Sequence, residues 1–242
     1  MGKAIVMVSK SVVFVDTEVG TRDKKIHDAG ACKFDGSKIH TNSPEVFESF
    51  VKNDEYFCGH NIYGHDLKYI QQWIGKDISP KLIDTLYLSP LLFPQKPYHR
   101  LVKDDKLQVD ELNNPLNDSL RAMELFNDEL SAYAKLTPRM KRIYTGLLSS
   151  APEFSGFFDY VDSVPYSYGF DEYIKGAFFG KICEHADISA MVKSRPVELA
   201  YALAIIDAYK ADSITPAIMG SSGMHPAVRT SSRSMSVTGS RI

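Results

Sequence analysis

The sequence predicts an α/β layered protein followed by a smaller, mainly helical unit. Across residues 1–130, short apolar β-branched runs alternate with stretches of helical periodicity. Across residues 131–212, apolar residues recur at helical spacing, with aromatic clusters between them. The chain has 242 residues, 44% hydrophobic and 24% charged, which fits a soluble globular protein of one domain plus an appendage. Collagen-like and wholly disordered classes are excluded.

Taken in order, Ser11–Asp16 (SVVFVD) has the composition of a buried central strand. Lys24–Phe34 and Ser37–Thr41 are weaker strand candidates on either side of the turn signal Asp35-Gly36. Pro44–Val51 reads as a short helix because Ser43 is a good N-cap ahead of it. Tyr56–Gly59 is a second buried strand, and a helix follows from about Asp66 to Ile74. A helix is expected near Leu82–Leu92, stopped before Pro94, and another over Asn117–Leu130. In the second unit, helical spacing marks Leu130–Leu148 and Val197–Tyr209, and Phe154, Phe157, Phe158 and Tyr160 read as core. From Ser213 to Ile242 no apolar period survives, and the stretch, rich in serine, holds three arginines and no acid. It reads as a flexible basic tail.

The 28 basic and 30 acidic residues leave a formal charge of −2, which excludes a histone-like polyanion binder. Nucleic acid as a substrate is still compatible with that balance, since a local basic patch or bound cations can attract it. Cys32, Cys58 and Cys183 are odd in number and widely spaced, which argues against a disulfide framework or structural zinc. No run of about 18 apolar residues suggests a membrane span, and MGKAIVMVSK is too short in its apolar part for a signal peptide. The expected setting is cytoplasmic and reducing.

The chemistry is concentrated in carboxylates. Asp16-Thr17-Glu18 ends the first apolar run, and strand alternation puts Asp16 and Glu18 on one face, roughly 6–7 Å apart along the chain. Two like charges there repel and are costly to desolvate unless a cation neutralises them. Two divalent metals would do so, in the arrangement used for phosphodiester hydrolysis. Alone, such a pair is an ordinary acidic turn. A second cluster, His60-Asn61-Ile62-Tyr63-Gly64-His65-Asp66, leads from a strand into a helix, where Asp66 can face the pair and Asn61 can bond a loop or a phosphate. Asp118 opens a later helix whose apolar face is Leu120, Met123 and Phe126.

This ordered set, completed by Ile83-Asp84-Thr85-Leu86, resembles the DEDD (DnaQ-like) 3′–5′ exonuclease superfamily over about residues 9–130. The resemblance implies an RNase H-like mixed sheet flanked by helices. It further implies that Asp16, Glu18, Asp66 and Asp118 hold two Mg²⁺ or Mn²⁺ ions through hard oxygen ligands, with Thr17, Asn61 and His65 against the substrate. Asp84 matches a structural position beside that site.

The pattern departs from the superfamily at the general base. The positions five and four residues before Asp118, where one branch has His and the other Tyr, are Asn113 and Asn114, and neither amide accepts a proton near neutral pH. His99 is the candidate substitute. Its own spacing to Asp104 offers an alternative pairing of base and fourth ligand, although the helix after Asp118 matches better. Lys96, Arg100, Lys103 and Lys106, interleaved with Tyr98, form a basic patch suited to a phosphate backbone.

Asp84–Leu125 also resembles the exonuclease-type N-terminal region of certain bacterial RecQ-like DNA helicases, and the helical unit resembles the linker before their motor. No GxxxxGK[ST] loop occurs, so the expectation is a fragment or stand-alone relative that works with a helicase. Three functions follow as expectations. The first is a metal-dependent 3′–5′ exonuclease on single-stranded or frayed DNA ends, with RNA as an alternative substrate. The others are an inactive nucleic-acid-binding or helicase-accessory module and a purely helical adaptor.

Overall fold

The computed structural model describes residues 10–101, 114–164 and 169–209. Its centre is a five-stranded mixed sheet of order β3-β2-β1-β4-β5. The strands are β1 (Val12–Val19), β2 (Ile26–Lys33), β3 (Lys38–Thr41), β4 (Tyr56–Gly59) and β5 (Lys81–Asp84). β1 pairs antiparallel with β2 and β2 with β3, whereas β1–β4 and β4–β5 are parallel. The DxE sequence therefore lies toward the end of the middle strand, with two strands on either side of it.

Helices cover both faces. α1 (Pro44–Val51) and α2 (Leu67–Trp73) lie on one side, where Phe47, Val51 and Ile70 pack with Val13, Val15, Ala31 and Phe57. Ser43 caps α1, its hydroxyl accepting from Val46 N–H, as that residue type predicts. On the other side α4 (Pro115–Lys135) lies against the sheet and α6 (Pro152–Tyr160) against β5, with α3 (Thr85–Leu92), α5 (Pro138–Leu148), α7 (Phe170–Ala177), α8 (Ile188–Ser194) and α9 (Pro196–Tyr209) packed on these helices and on one another. One hydrophobic cluster runs from Phe14, Cys58 and Ile83 of the sheet through Phe126 to Phe157, Ile174 and Leu203. The expected boundary at residues 130/131 falls inside α4, and the two units share this core.

Several expected elements shift. The single helix expected near Leu82–Leu92 is a strand followed by a helix. Lys81–Asp84 joins the sheet beside β4, and the Asp84 carboxylate then caps α3 by accepting from Leu86 N–H. The helical spacing over Leu130–Leu148 spans the end of one helix and the whole of the next, interrupted at Leu136-Thr137-Pro138 because the residue before a proline is driven out of the helical region. Thr137 caps the new helix through Met140 N–H.

Two backbone contacts fix where helices meet the sheet. A Cβ on Gly156 of α6 would lie 2.0 Å from the Leu82 carbonyl oxygen, so only glycine lets α6 press on the outer strand β5. A Cβ on Gly30 of β2 would lie 2.1 Å from Leu116 N and 2.2 Å from Pro115 C, so the start of α4 rests directly on the sheet there. Phe126, buried further along α4, meets Phe14 with ring centroids 5.8 Å apart and holds the helix to β1.

Glu129, also on the sheet-facing side of α4, is fully buried, and among the described residues neither carboxyl oxygen has a hydrogen-bond partner. Burial, reinforced by Asp84, pushes its carboxyl well above the usual 4.5. Above pH 4.5 the unfolded chain loses this proton while the folded chain keeps it, so Glu129 lowers stability as pH rises. The slope is at most about 1.4 kcal/mol per pH unit. Glu129→Gln keeps the shape and removes the proton. Its urea midpoint, followed from pH 5 to 8, is expected to exceed that of the wild type by a margin that grows with pH, and a constant difference would refute the buried neutral acid.

Candidate metal centre

The site forms where β1 and the start of α4 meet. In β1, Asp16 stands opposite Gly30 and Glu18 opposite Asp28, so both acids project from the face that α4 covers. Asn114 caps α4 by accepting from Leu116 and Asn117 N–H, and Pro115 occupies the first turn. These features place Asp118 in the first turn, where the helix dipole favours a carboxylate. Asp16, Glu18 and Asp118 each offer a carboxylate oxygen, and these oxygens lie within 4.8 Å of one another. All three residues are half-buried. Gly30 sets the geometry, since any side chain there would push α4, and Asp118 with it, away from the pair.

Asp66, the fourth acid of the expected set, does not join this cluster. It is 1% exposed, and its Oδ1 accepts from Thr17 N–H at 3.0 Å and from Thr17 Oγ1 at 2.6 Å. Asp66 thus braces β1 from behind, at the residue between the two clustered acids. Thr17 is buried with its hydroxyl committed to that bond, so it faces inward instead of lining a substrate groove. His65 is half-exposed, with Nδ1 3.3 Å from Asp66 Oδ1. The bond to Asp66 raises its imidazole above the usual range, and Glu18 adds to the effect, which places a histidine inclined to carry charge beside the acids.

Asn61 adopts a left-handed backbone, φ 71°, and its N–H donates to Asp84 Oδ1 at 2.8 Å. Asp84 also accepts from Tyr63 and Leu86 N–H, so one buried carboxylate closes the loop after β4 and starts α3. Burial pushes it up to about 6 against the pull of those three donors. Both residues build the loop that carries His65 and Asp66. Sequence reasoning places Asp84 beside the site but does not reveal this shared anchoring.

His99 lies outside the acid cluster. Its Nδ1 is 3.0 Å from Ser89 Oγ on α3, and burial, with the Lys96 charge, holds its imidazole below the usual range. His60 is near it, bonded to Thr85 Oγ1 at 2.9 Å and lowered to about 4 by burial and then by His99. Of the basic patch, Lys96 sits over the Phe93 ring at 4.0 Å and Tyr98 is exposed. Asn113, Lys103, Asp104, Lys106 and the tail 213–242 lie outside the described residues.

No protein-family profile, curated protein or solved structure matches this chain. The site is therefore read from its own chemistry. Three carboxylate oxygens converging at the end of a strand fit a hard divalent cation and suit neither a soft nor a thiolate-bound metal. Among the described residues, no helix is long and apolar enough to cross a membrane.

Proposed function

We propose that the chain is a metal-dependent 3′–5′ exonuclease with an RNase H-like fold, hydrolysing phosphodiester bonds at single-stranded or frayed DNA ends. RNA is the alternative substrate. The observation that carries this reading is the convergence of Asp118 with Asp16 and Glu18, about a hundred positions earlier in the chain, on oxygens within 4.8 Å of one another. The mixed sheet with its acids at the end of the middle strand supports it. Bound at these carboxylates, Mg²⁺ or Mn²⁺ would supply Lewis acidity for activating water and for stabilising the leaving 3′-oxygen.

The chain's own residues have distinct tasks. Asp16, Glu18 and Asp118 would hold the cations. Asp66 holds the strand tip through Thr17, and Asp84 fixes the loop that presents His65. Half-exposed and beside Asp66, His65 is suited to donate a hydrogen bond to an anionic substrate. A helicase that frays duplex ends would supply such a substrate, in keeping with the resemblance over Asp84–Leu125.

A second reading, a nucleic-acid-binding module without turnover, is favoured by one observation. The Asn114 side chain is engaged in capping α4, and His99 Nδ1 is 3.0 Å from Ser89 Oγ, which supports a site that takes no general base from either residue. Incubation with a 5′-labelled single-stranded oligonucleotide and Mg²⁺ or Mn²⁺ separates the two. A ladder shortening from the 3′ end, absent with chelator, is expected. Retained binding with no shortening under either cation would select the second reading.

A further inference from the structure

Arg121 stands one turn after Asp118 on α4, with Nη1 3.6 Å from Asp118 Oδ1 and side chains 25% and 12% exposed. The pairing follows from helical spacing, since residues three apart share a face. Its position is unusual for a surface ion pair, because Asp118 also belongs to the converging carboxylates. A guanidinium at that edge offsets part of their mutual repulsion, a task that a bound divalent cation would take over.

The cation and Arg121 thus draw on the same carboxylate. At 3.6 Å the contact is longer than a good charge-assisted hydrogen bond, so the pair is readily exchanged. Arginine stays charged throughout and presents a planar fork that matches phosphate oxygens. A phosphodiester drawn to the cluster would bring its anionic oxygens to the rim where this fork lies. On the reading of the cluster as a metal centre, we propose that Arg121 is a substrate-binding residue that exchanges Asp118 for a nucleic-acid phosphate once a divalent cation is bound. Its positive charge then serves in turn as a stand-in for the cation and as a clamp on the strand.

Arg121→Gln tests this through two affinities that should move in opposite directions. With the competing guanidinium gone, Mn²⁺ binding measured by electron paramagnetic resonance is expected to tighten about two- to fivefold. The affinity for a fluorescein-labelled oligothymidylate, measured by anisotropy with Ca²⁺ present, is expected to weaken about three- to tenfold. The slope of log affinity against log salt should flatten by about 0.7 for this single strand. Arg121→Lys keeps the charge without the fork, so it should restore the salt slope and only part of the affinity.

A residue that merely stabilised the helix would weaken both affinities together, and that result would overturn the proposal. Unchanged oligonucleotide affinity and salt slope would overturn it as well. If Asp16→Asn abolishes Mn²⁺ binding while Arg121→Gln alters neither affinity, the metal centre stands and Arg121 has no part in it. If the wild type binds no Mn²⁺, the reading of the cluster falls and the proposal with it.

Discussion

On the exonuclease reading, Asp16→Asn is expected to reduce hydrolysis of an end-labelled oligonucleotide about a thousandfold, because a cation held there would supply several kcal/mol of transition-state stabilisation. Asp118→Asn is expected to do the same, and the double variant should be hardly worse than either alone, since residues that serve one centre act as a unit. The stability of Asp16→Asn should move the other way, whereas Asp118→Asn also gives up its favourable charge at the start of α4 and its pairing with Arg121. The carboxylate oxygens lie within 4.8 Å of one another, so removing one charge relieves repulsion and raises the melting temperature of the metal-free protein. Adding Mn²⁺ should then stabilise the wild type and leave Asp16→Asn unchanged. A variant that lost activity and melted at a lower temperature would point to a structural role for Asp16. Full activity in Asp16→Asn would remove the site from the chemistry altogether.

Gly30→Ala should have the next largest effect, although Gly30 carries no functional group. Its new methyl would lie 2.1 Å from Leu116 N and 2.4 Å from Leu116 Cα, both backbone atoms that cannot rotate away. Overpacking of this kind costs about 1–3 kcal/mol. The start of α4 has to lift, and Asp118 leaves with it while Asp16 and Glu18 stay on β1. Activity and Mn²⁺ affinity should therefore fall by about a hundredfold or more at temperatures where the protein is still folded. Gly176→Ala in α7 is the matched control, since a Cβ there meets nothing within 4 Å. That change should be neutral or stabilise by up to about 1 kcal/mol. If Gly30→Ala lowers only the melting temperature and leaves the activity per folded molecule intact, then α4 is not what positions the acids.

Much of the first half of the fold was legible because its signals are local. Ser43 before Pro44, the apolar run of β1 and the four buried residues of β4 each declare their element within a few positions. β5 was not legible, because Lys81–Asp84 runs straight into Thr85–Leu92 without a break signal. Only pairing with β4, some twenty-five residues earlier, makes it a strand. At the site, the Asp16/Glu18 pair followed from strand alternation, and Asp118 from the order of the motifs. Asp66 was placed beside the pair, but its bond to Thr17 was not foreseen, since the two are 49 positions apart and nothing in either segment announces it. The functions of Gly30 and Glu129 were invisible for the same reason. A glycine in a strand and a glutamate in a helix are unremarkable until the opposing backbone or the surrounding core is known.

The close fit of α6 against β5 bears on how the protein behaves in a crowd. An open sheet normally offers two unpaired margins to which a foreign strand can add, the first step toward fibrils and precipitates. Here one margin is sealed by a helix that touches the Leu82 backbone at Gly156, leaving no room for an incoming chain. The other margin is β3, four residues long, with Lys38 and His40 exposed along it. A short, charged margin is a poor template. Shortening the chain ahead of α6 would bare the Leu82 backbone and turn that margin into a template for strand addition.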